Sequence, residues 1–353
     1  MTPLFTVIIP LYKAERFVAP AIEQLLRQKT GDYEIILVDD GSPDAAFEIA
    51  SAYAKQHDSV LVLQQENRGP GLARNKALSI ARGEYVLFLD ADDVYSEDLL
   101  QSLAGYVRED KPDVVVYSYV EKNLLARYEC VCRYKPARAN SNKEIRQLYS
   151  RCFMGLPFNN GFTWNRAYRR EFLQDNNIRF SEQRMQEDEL FNLTVYGHAQ
   201  SMVVVPDVLY TYIIHNHNSI FRFNASLFWD YCRVYEAMSE LYACWALDTP
   251  QAIKYQTGRH YNAVINSLRN LVLNPRQKAA YTVSDVLNHC STQEVLAQIR
   301  ANSWGGTFKY YKYLNNRSLR SLSLRLKLER YNTVLRYRLH ALGRALRSGQ
   351  QHS

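Results

Sequence analysis

No window of this 353-residue chain reaches the ~18–20 apolar residues that a membrane-spanning helix needs. The best candidate, Met202 to Ile214, is short and broken by Pro206 and Asp207. The start, Met1-Thr2-Pro3-Leu4-Phe5, has no basic stretch ahead of a long apolar one, so no signal peptide is expected. Cysteine is sparse. None of Cys130, Cys132, Cys152, Cys232, Cys244 and Cys290 form a Cys-x-x-Cys pair, and no paired histidines follow at zinc spacing. Reduced thiols in a cytosolic protein are the expectation. A dinucleotide fingerprint is missing too. Gly69-Pro70-Gly71 follows the third strand pattern rather than the first, and Arg74 stands where a last glycine belongs, which argues against a dehydrogenase. The first loop, Pro10-Leu11-Tyr12, lacks the glycine-rich run and lysine of a sugar-nucleotidyltransferase. No internal repeat and no low-complexity segment is present.

What remains is globular: 47% hydrophobic and 22% charged residues. The length suits one large or two ordinary domains. Tyrosine is abundant, 26 residues against 14 Phe and 4 Trp, and its apolar body with a polar tip serves cores and carbohydrate surfaces alike. The net charge of +7 is concentrated at one end. From Asn316 to Ser353 there are nine Lys/Arg and a single acid, Glu329, so the rest of the chain is close to neutral.

The first 120 residues alternate strand and helix patterns. Strands are predicted at Thr6–Ile9, Glu34–Val38, Val60–Leu63, Tyr85–Leu89 and Val114–Tyr117. Helices are predicted at Glu15–Gln28, from Ser42-Pro43-Asp44 onward, at Pro70–Arg82 and at Glu97–Val107. Ser42 reads as an N-cap with Pro43 in the first helical position. Such alternation predicts a parallel sheet with right-handed crossovers. After Tyr119 the pattern loosens, and from Asn224 it reads as mostly helical.

The segment Glu84-Tyr85-Val86-Leu87-Phe88-Leu89-Asp90-Ala91-Asp92-Asp93 carries the strongest chemical signal. A buried-strand run ends in three carboxylates within four positions. Carboxylates gathered there are costly unless a positive group meets them, and the carboxyl edge of an open α/β sheet is where ligands bind. Hard divalent cations with a phosphate-bearing substrate suit such a cluster. Three more segments belong to the same edge: Val7 to Glu15, Ile36-Leu37-Val38-Asp39-Asp40-Gly41-Ser42, and Asn67 to Asn75. Further on, Arg184-Met185-Gln186-Glu187-Asp188-Glu189 puts three acids at a helix start.

In this order and at these spacings the segments resemble an inverting glycosyltransferase of family 2, of the bacterial capsule, lipopolysaccharide and exopolysaccharide type. The likeness runs from Phe5 to about Leu100 and again around Trp164 to Ile220. It implies an α/β fold: a GT-A nucleotide-sugar-binding sheet, Rossmann-like and mostly parallel, followed by a mainly helical C-terminal region. The implied organisation is a catalytic domain at 1–220 (halves 1–120 and 121–220), a helical region at 221–315 and a basic amphipathic tail at 316–353. The resemblance implies a UDP-sugar donor. Pro10, Tyr12 and Glu15 would border the nucleoside, and Asp40, supported by Asp39, would accept from the uracil imide. Arg74 would meet the diphosphate or brace the acids. Asp92 would hold Mn²⁺ or Mg²⁺, with Asp90 on the ribose or a metal-bound water, and Asp93 would be structural. Asp188 matches the general base, with Glu187 as runner-up. Trp164 could stack on an acceptor sugar. His215 or His217 could replace an arginine that the family carries where this chain has Ile213. Lys13 stands where the family usually has Asn.

The tail carries Leu319, Leu322, Leu326, Leu335, Leu339, Leu342 and Leu346 at near-helical spacing among its basic residues. That pattern suits an anionic membrane surface better than nucleic acid, with packing on the domain as the third option. The expected setting is cytoplasmic, peripheral at the inner membrane face, with a glycan or lipid-linked glycan acceptor. A basic-tailed nucleic-acid or membrane-binding protein and a sugar-nucleotidyltransferase are the alternatives.

Overall fold

A computed structural model describes residues 2–154, 161–215, 223–316 and 318–329. Two compact units emerge, Met1–His215 with Glu236–Ala252, and Asn216–Tyr235 with Ile253–Ser353.

The first unit is built on a ten-stranded sheet. Its strands are β1 (Phe5–Leu11), β2 (Tyr33–Asp40), β3 (Val60–Gln65), β4 (Tyr85–Phe88), β5 (Val94–Tyr95), β6 (Val114–Asn123), β7 (Tyr128–Cys132), β8 (Ala137–Ala139), β9 (Arg166–Arg169) and β10 (Met202–Ile214). The order is β3-β2-β1-β4-β9-β6-β10-β5, with β7 beside β6 and β8 beside β10. β1 to β4 are mutually parallel, as the alternation requires. β1, β2 and β4 are buried on both faces, which explains their continuous apolar runs. The sheet is not parallel throughout. β9 inserts antiparallel between β4 and β6, so β4 and β6, successive in the predicted alternation, are not neighbours.

The helices of this unit are α1 (Val18–Leu26), α2 (Ala46–Ala54), α3 (Pro70–Leu78), α4 (Leu99–Asp110), α5 (Asn142–Leu148), α6 (Arg170–Asp175) and α7 (Glu187–His198). The predicted cap at Ser42 is not used. α2 begins at Ala46 after an uncapped Ala45. The Ser42 hydroxyl instead accepts from Lys13 N at 2.7 Å and donates to Asp44, and Asp44 accepts from Glu15 N at 3.1 Å. These side chains tie the β1 loop to the β2 loop. Lys13 has φ 57°, in the left-handed region that Asn tolerates best, which accounts physically for the family's preference there.

Residues 236–252 complete the first unit rather than standing with the helical region that follows. Trp245 donates to Asn142 Oδ1 at 2.8 Å, and Trp245 and Tyr242 pack edge-on against Tyr149. The sequence boundary at 220 misses this return because it depends on aromatic contacts made about 100 residues away.

The second unit is helical. α8 (Leu227–Cys244) begins in it, and it contains most of α9 (Pro250–Leu273) with α10 (Val283–Asn288), α11 (Cys290–Ala301) and α12 (Tyr311–Asn315). Its core includes Phe228, Tyr261, Val264, Leu268, Val295 and Ile299. Residues 319–329 are also helical. Leu322 and Leu326 are buried, and Glu329 anchors the helix by pairing with Lys309 at 2.7 Å. Two of the leucines assigned to a free amphipathic stripe are therefore core residues. Leu324 and Leu328 face outward. Residues 330–353 lie outside the described residues. No helix among those described is long and apolar enough to cross a membrane.

Candidate active site

The parallel strands β1, β2 and β4 deliver their following loops to one edge. Arg74, on α3, organises it. Its Nη2 meets Asp90 Oδ1 at 2.9 Å, just past β4, and its Nη1 meets Glu187 Oε1 at 3.1 Å and Asp188 Oδ1 at 2.9 Å at the start of α7. The guanidinium is buried and lies over the Phe180 ring. One cation faces three carboxylates, so two negative charges are left uncompensated. Burial, reinforced by Asp188, raises the proton affinity of Glu187 well above the usual carboxylate range, and burial does the same to Asp90.

Local sequence explains how α7 reaches Arg74. Gly71 allows the approach, since a Cβ there would sit 3.1 Å from Phe180 Cβ and Ser181 O and 3.2 Å from Glu187 Cγ. Asn75 clamps the incoming segment by donating to Phe180 O at 2.8 Å and accepting from Phe180 N at 2.9 Å. Arg184 is held by Asn67 Oδ1 and O at 2.7 and 2.9 Å. Gln186, the residue before α7, has φ 62°.

The acidic loop after β4 is held by Tyr95, which carried no sequence signal, and by Tyr210, from the segment that resembles the family's closing loop. Tyr95 donates to Asp90 O at 2.6 Å, Asp90 N donates to Tyr210 Oη at 3.3 Å, and Tyr210 donates to Asp93 Oδ2 at 2.6 Å. Asp93 also accepts from Ile213 N at 2.7 Å. Its buried carboxyl is driven strongly toward the protonated form by desolvation and by Asp92 and Asp90. Asp92 reaches His215 Nε2 at 2.8 Å, and His215 stacks on Phe17. His217 lies outside the described residues.

The two acids of β2 differ. Asp40 accepts from Arg68 N and Gln65 Nε2 through Oδ1 and from Gly69 N through Oδ2, each at 2.8 Å, which fixes its orientation at the head of the following turn. Asp39 accepts through Oδ2 from Gln64 and Ser42, while its buried Oδ1 has no partner. Desolvation raises its proton affinity. Gly41 makes the turn possible, with φ 65° and Asn67 N only 2.9 Å from where a Cβ would lie. Pro10 is half-buried at the end of β1, and Tyr12 and Glu15 are exposed beside this edge.

Trp164 is also corrected. It is 2% exposed, with its ring stacked on Tyr210 at 4.6 Å and on Phe162 at 4.5 Å, so it has no face open to a sugar. Next to it Arg166 is fully buried and donates to Tyr196 Oη at 2.6 Å.

Among the described residues no three His, Cys, Asp or Glu side chains converge as a complete cation cage. The Asp92–His215 pair is an oxygen and nitrogen donor set. It fits Mn²⁺ or Mg²⁺ arriving with a diphosphate whose oxygens and waters supply the remaining ligands.

An α/β sheet edge with a clustered acid loop and a guanidinium clamp is the architecture that the structure defines. Comparison with known proteins narrows it. The sequence model of "Glycosyl transferase family 2" matches residues 6–176. Glycosyltransferase GlyG of Streptococcus pneumoniae is 31% identical over 242 residues, spanning 65% of this chain and 76% of GlyG. This chain belongs to glycosyl transferase family 2. It is also 33% identical to the uncharacterized glycosyltransferase EpsJ of Bacillus subtilis over 222 residues, 60% of this chain and 61% of EpsJ, so the match spans about three fifths of that relative. In fold it resembles S. aureus TarS 1–349 in complex with UDP-GlcNAc, with TM-score 0.59 and 21% identity over 93% of this chain and 92% of TarS 1–349. The mixed, mostly parallel sheet followed by a helical region is the fold class read from the sequence.

Proposed function

We propose that this chain is an inverting glycosyltransferase that moves a sugar from a UDP-sugar to a hydroxyl of a growing, lipid-linked bacterial surface glycan. The observation that carries this reading is the Arg74 clamp, which draws Asp90 and the Glu187–Asp188 pair together beside Asp92 and His215. The likeness to TarS, whose structures contain UDP and UDP-GlcNAc, supports the donor.

Each residue then has a separable task. Asp40, supported by Asp39, accepts from the imide N–H of uracil, and the 65–69 turn holds its carboxylate in place. Pro10, Tyr12 and Glu15 border the nucleoside. Asp92, with His215 and Asp90, would hold Mn²⁺ or Mg²⁺. The ion, when bound, neutralises charge on the leaving UDP. Asp188 is the base. Its side chain is more exposed than that of Glu187, 22% against 10%, and its Oδ1 lies 2.9 Å from Arg74 Nη1. Glu187, whose proton affinity burial raises, holds a proton within the cluster and relieves its excess charge. Asp188 takes the acceptor hydroxyl proton as the oxygen attacks the anomeric carbon from the face opposite UDP.

Catalysis belongs to the first unit in this reading. The basic segment 316–353 holds the enzyme at the cytoplasmic face of the membrane, through Arg320, Arg325 and Lys327 beside the outward Leu324 and Leu328 and through the basic residues beyond. The test is UDP release by the purified chain across a panel of UDP-sugars with Mn²⁺, Mg²⁺ or chelator, alongside Asp92→Ala. Metal-dependent release that Asp92→Ala abolishes is expected. Full turnover in chelator sinks the reading.

A further inference from the structure

One face of the sheet carries a file of aromatic side chains that the donor chemistry leaves unused. Tyr210 is in register with Tyr95 and Tyr119, and Tyr212 with Glu121, so these side chains share a face. Trp164 and Phe162 pack onto them. The inner rings are sealed: Tyr95, Tyr119, Trp164 and Tyr210 are all buried. Phe162 and Tyr212 are half-buried, with ring centroids 5.6 Å apart. The Tyr95 and Tyr210 hydroxyls are spent on the acidic loop. The Tyr212 hydroxyl has no hydrogen-bond partner among the described residues.

The two rings are anchored to opposite halves of the active site. Phe162 is fixed to α7, since Asn192 Nδ2 donates to Gly161 O at 2.7 Å and to Phe162 O at 3.1 Å. Gly161 lies so close to Glu189, the residue after Asp188, that a Cβ would come within 2.6 Å of its Cβ. Tyr212 is fixed to the acidic loop by the next residue, whose N–H donates to Asp93. Burial, with Asp93, Asp90 and Asp92 nearby, keeps the Tyr212 phenol neutral and able to donate. The pair therefore spans from the candidate base to the Asp90–Asp93 loop.

We propose that Phe162 and Tyr212 form the acceptor subsite, on which the C–H face of a pyranose ring rests while the Tyr212 hydroxyl bonds one sugar hydroxyl. This rests on the transferase reading. A neutral polyol is the occupant because its C–H faces suit aromatic rings, its hydroxyls suit a lone phenol beside the buried Glu121 carboxylate, and its place is continuous with the acid cluster.

The test measures UDP release with p-nitrophenyl hexosides and N-acetylhexosaminides as acceptors, and UDP affinity by calorimetry with Mn²⁺. Tyr212→Phe keeps the ring and removes a hydroxyl with no hydrogen-bond partner among the described residues. Acceptor KM should rise about 3–10-fold, the scale of one hydrogen bond, with UDP affinity and thermal stability unchanged. Phe162→Leu should raise acceptor KM in the same way. An unchanged acceptor KM in Tyr212→Phe, or a loss of UDP affinity matching the rise, overturns the subsite. Failure of the unmodified chain to bind UDP instead overturns the donor reading on which it rests.

Discussion

Replacing Arg74 with Met tests the electrostatics of the site most directly. The side chain of Arg74 is 4% exposed, and its three partners are Glu187 at 10%, Asp188 at 22% and Asp90 at 29%. Breaking a buried ion pair by removing one partner costs about 3–5 kcal/mol, because the other charge is stranded. The partial exposure of Asp188 and Asp90 lowers the expectation to the bottom of that range, about 3 kcal/mol at pH 8. The stranded acids have a remedy, which is to bind protons. Without Arg74 the folded proton affinities of Glu187 and Asp90 rise further above the unfolded values. The stability this linkage preserves is present below the unfolded carboxylate range and is lost as pH rises through the folded values. The Met variant should therefore suffer most at pH 8 and least near pH 4–5. For a unit of this size about 3 kcal/mol corresponds to a melting shift of roughly 6–12 °C. Scanning calorimetry of the full chain at pH 4.5 and pH 8 measures it. An equal shift at both pH values would refute the argument, because lost packing has no such pH dependence. Arg74→Lys should fall between, since an ammonium cannot span three carboxylates as a planar fork does.

Asp188→Asn should keep UDP affinity while lowering turnover by roughly 10²–10⁴-fold, and equal loss of both in single-turnover and binding assays would make Asp188 a structural residue. In the second unit, His260 is buried, shares a hydrogen bond with Ser291 Oγ at 2.8 Å, and has its pKa pushed down to about 4 by desolvation and by His289. A depressed histidine is protonated in the unfolded chain before the folded one, so stability should fall by up to about 3 kcal/mol as pH drops from 6.5 to 4. His260→Gln, which offers both a donor and an acceptor but does not titrate, should flatten that slope in urea unfolding; an unaltered slope assigns it elsewhere.

Much of the site was legible as pieces. Apolar runs ending in acids located the strand ends at Asp39–Asp40 and Asp90–Asp93, because a strand buried on both faces cannot alternate and must stop where charge begins. The acids at 187–189 marked the start of α7 through its dipole. The tail's charge was equally plain, but the burial of Leu322 and Leu326 was not, since a leucine stripe reads the same against a core as against a lipid surface.

Composition and periodicity thus determined five of the ten strands, where charge collects and which broad classes are excluded, since these depend on neighbours within a few residues. Tertiary structure alone decided what each charge faces. Arg74 meets carboxylates 16, 113 and 114 positions away, and His215 meets Asp92 across 123. The orientation of Asp40 rests on donors of the 65–69 turn, 25 to 29 positions away. Trp164 is a core residue because β10 lays Tyr210 across its face. Local patterns carry no record of such pairings, because partners brought together by sheet order are set by the whole chain's packing and not by spacing.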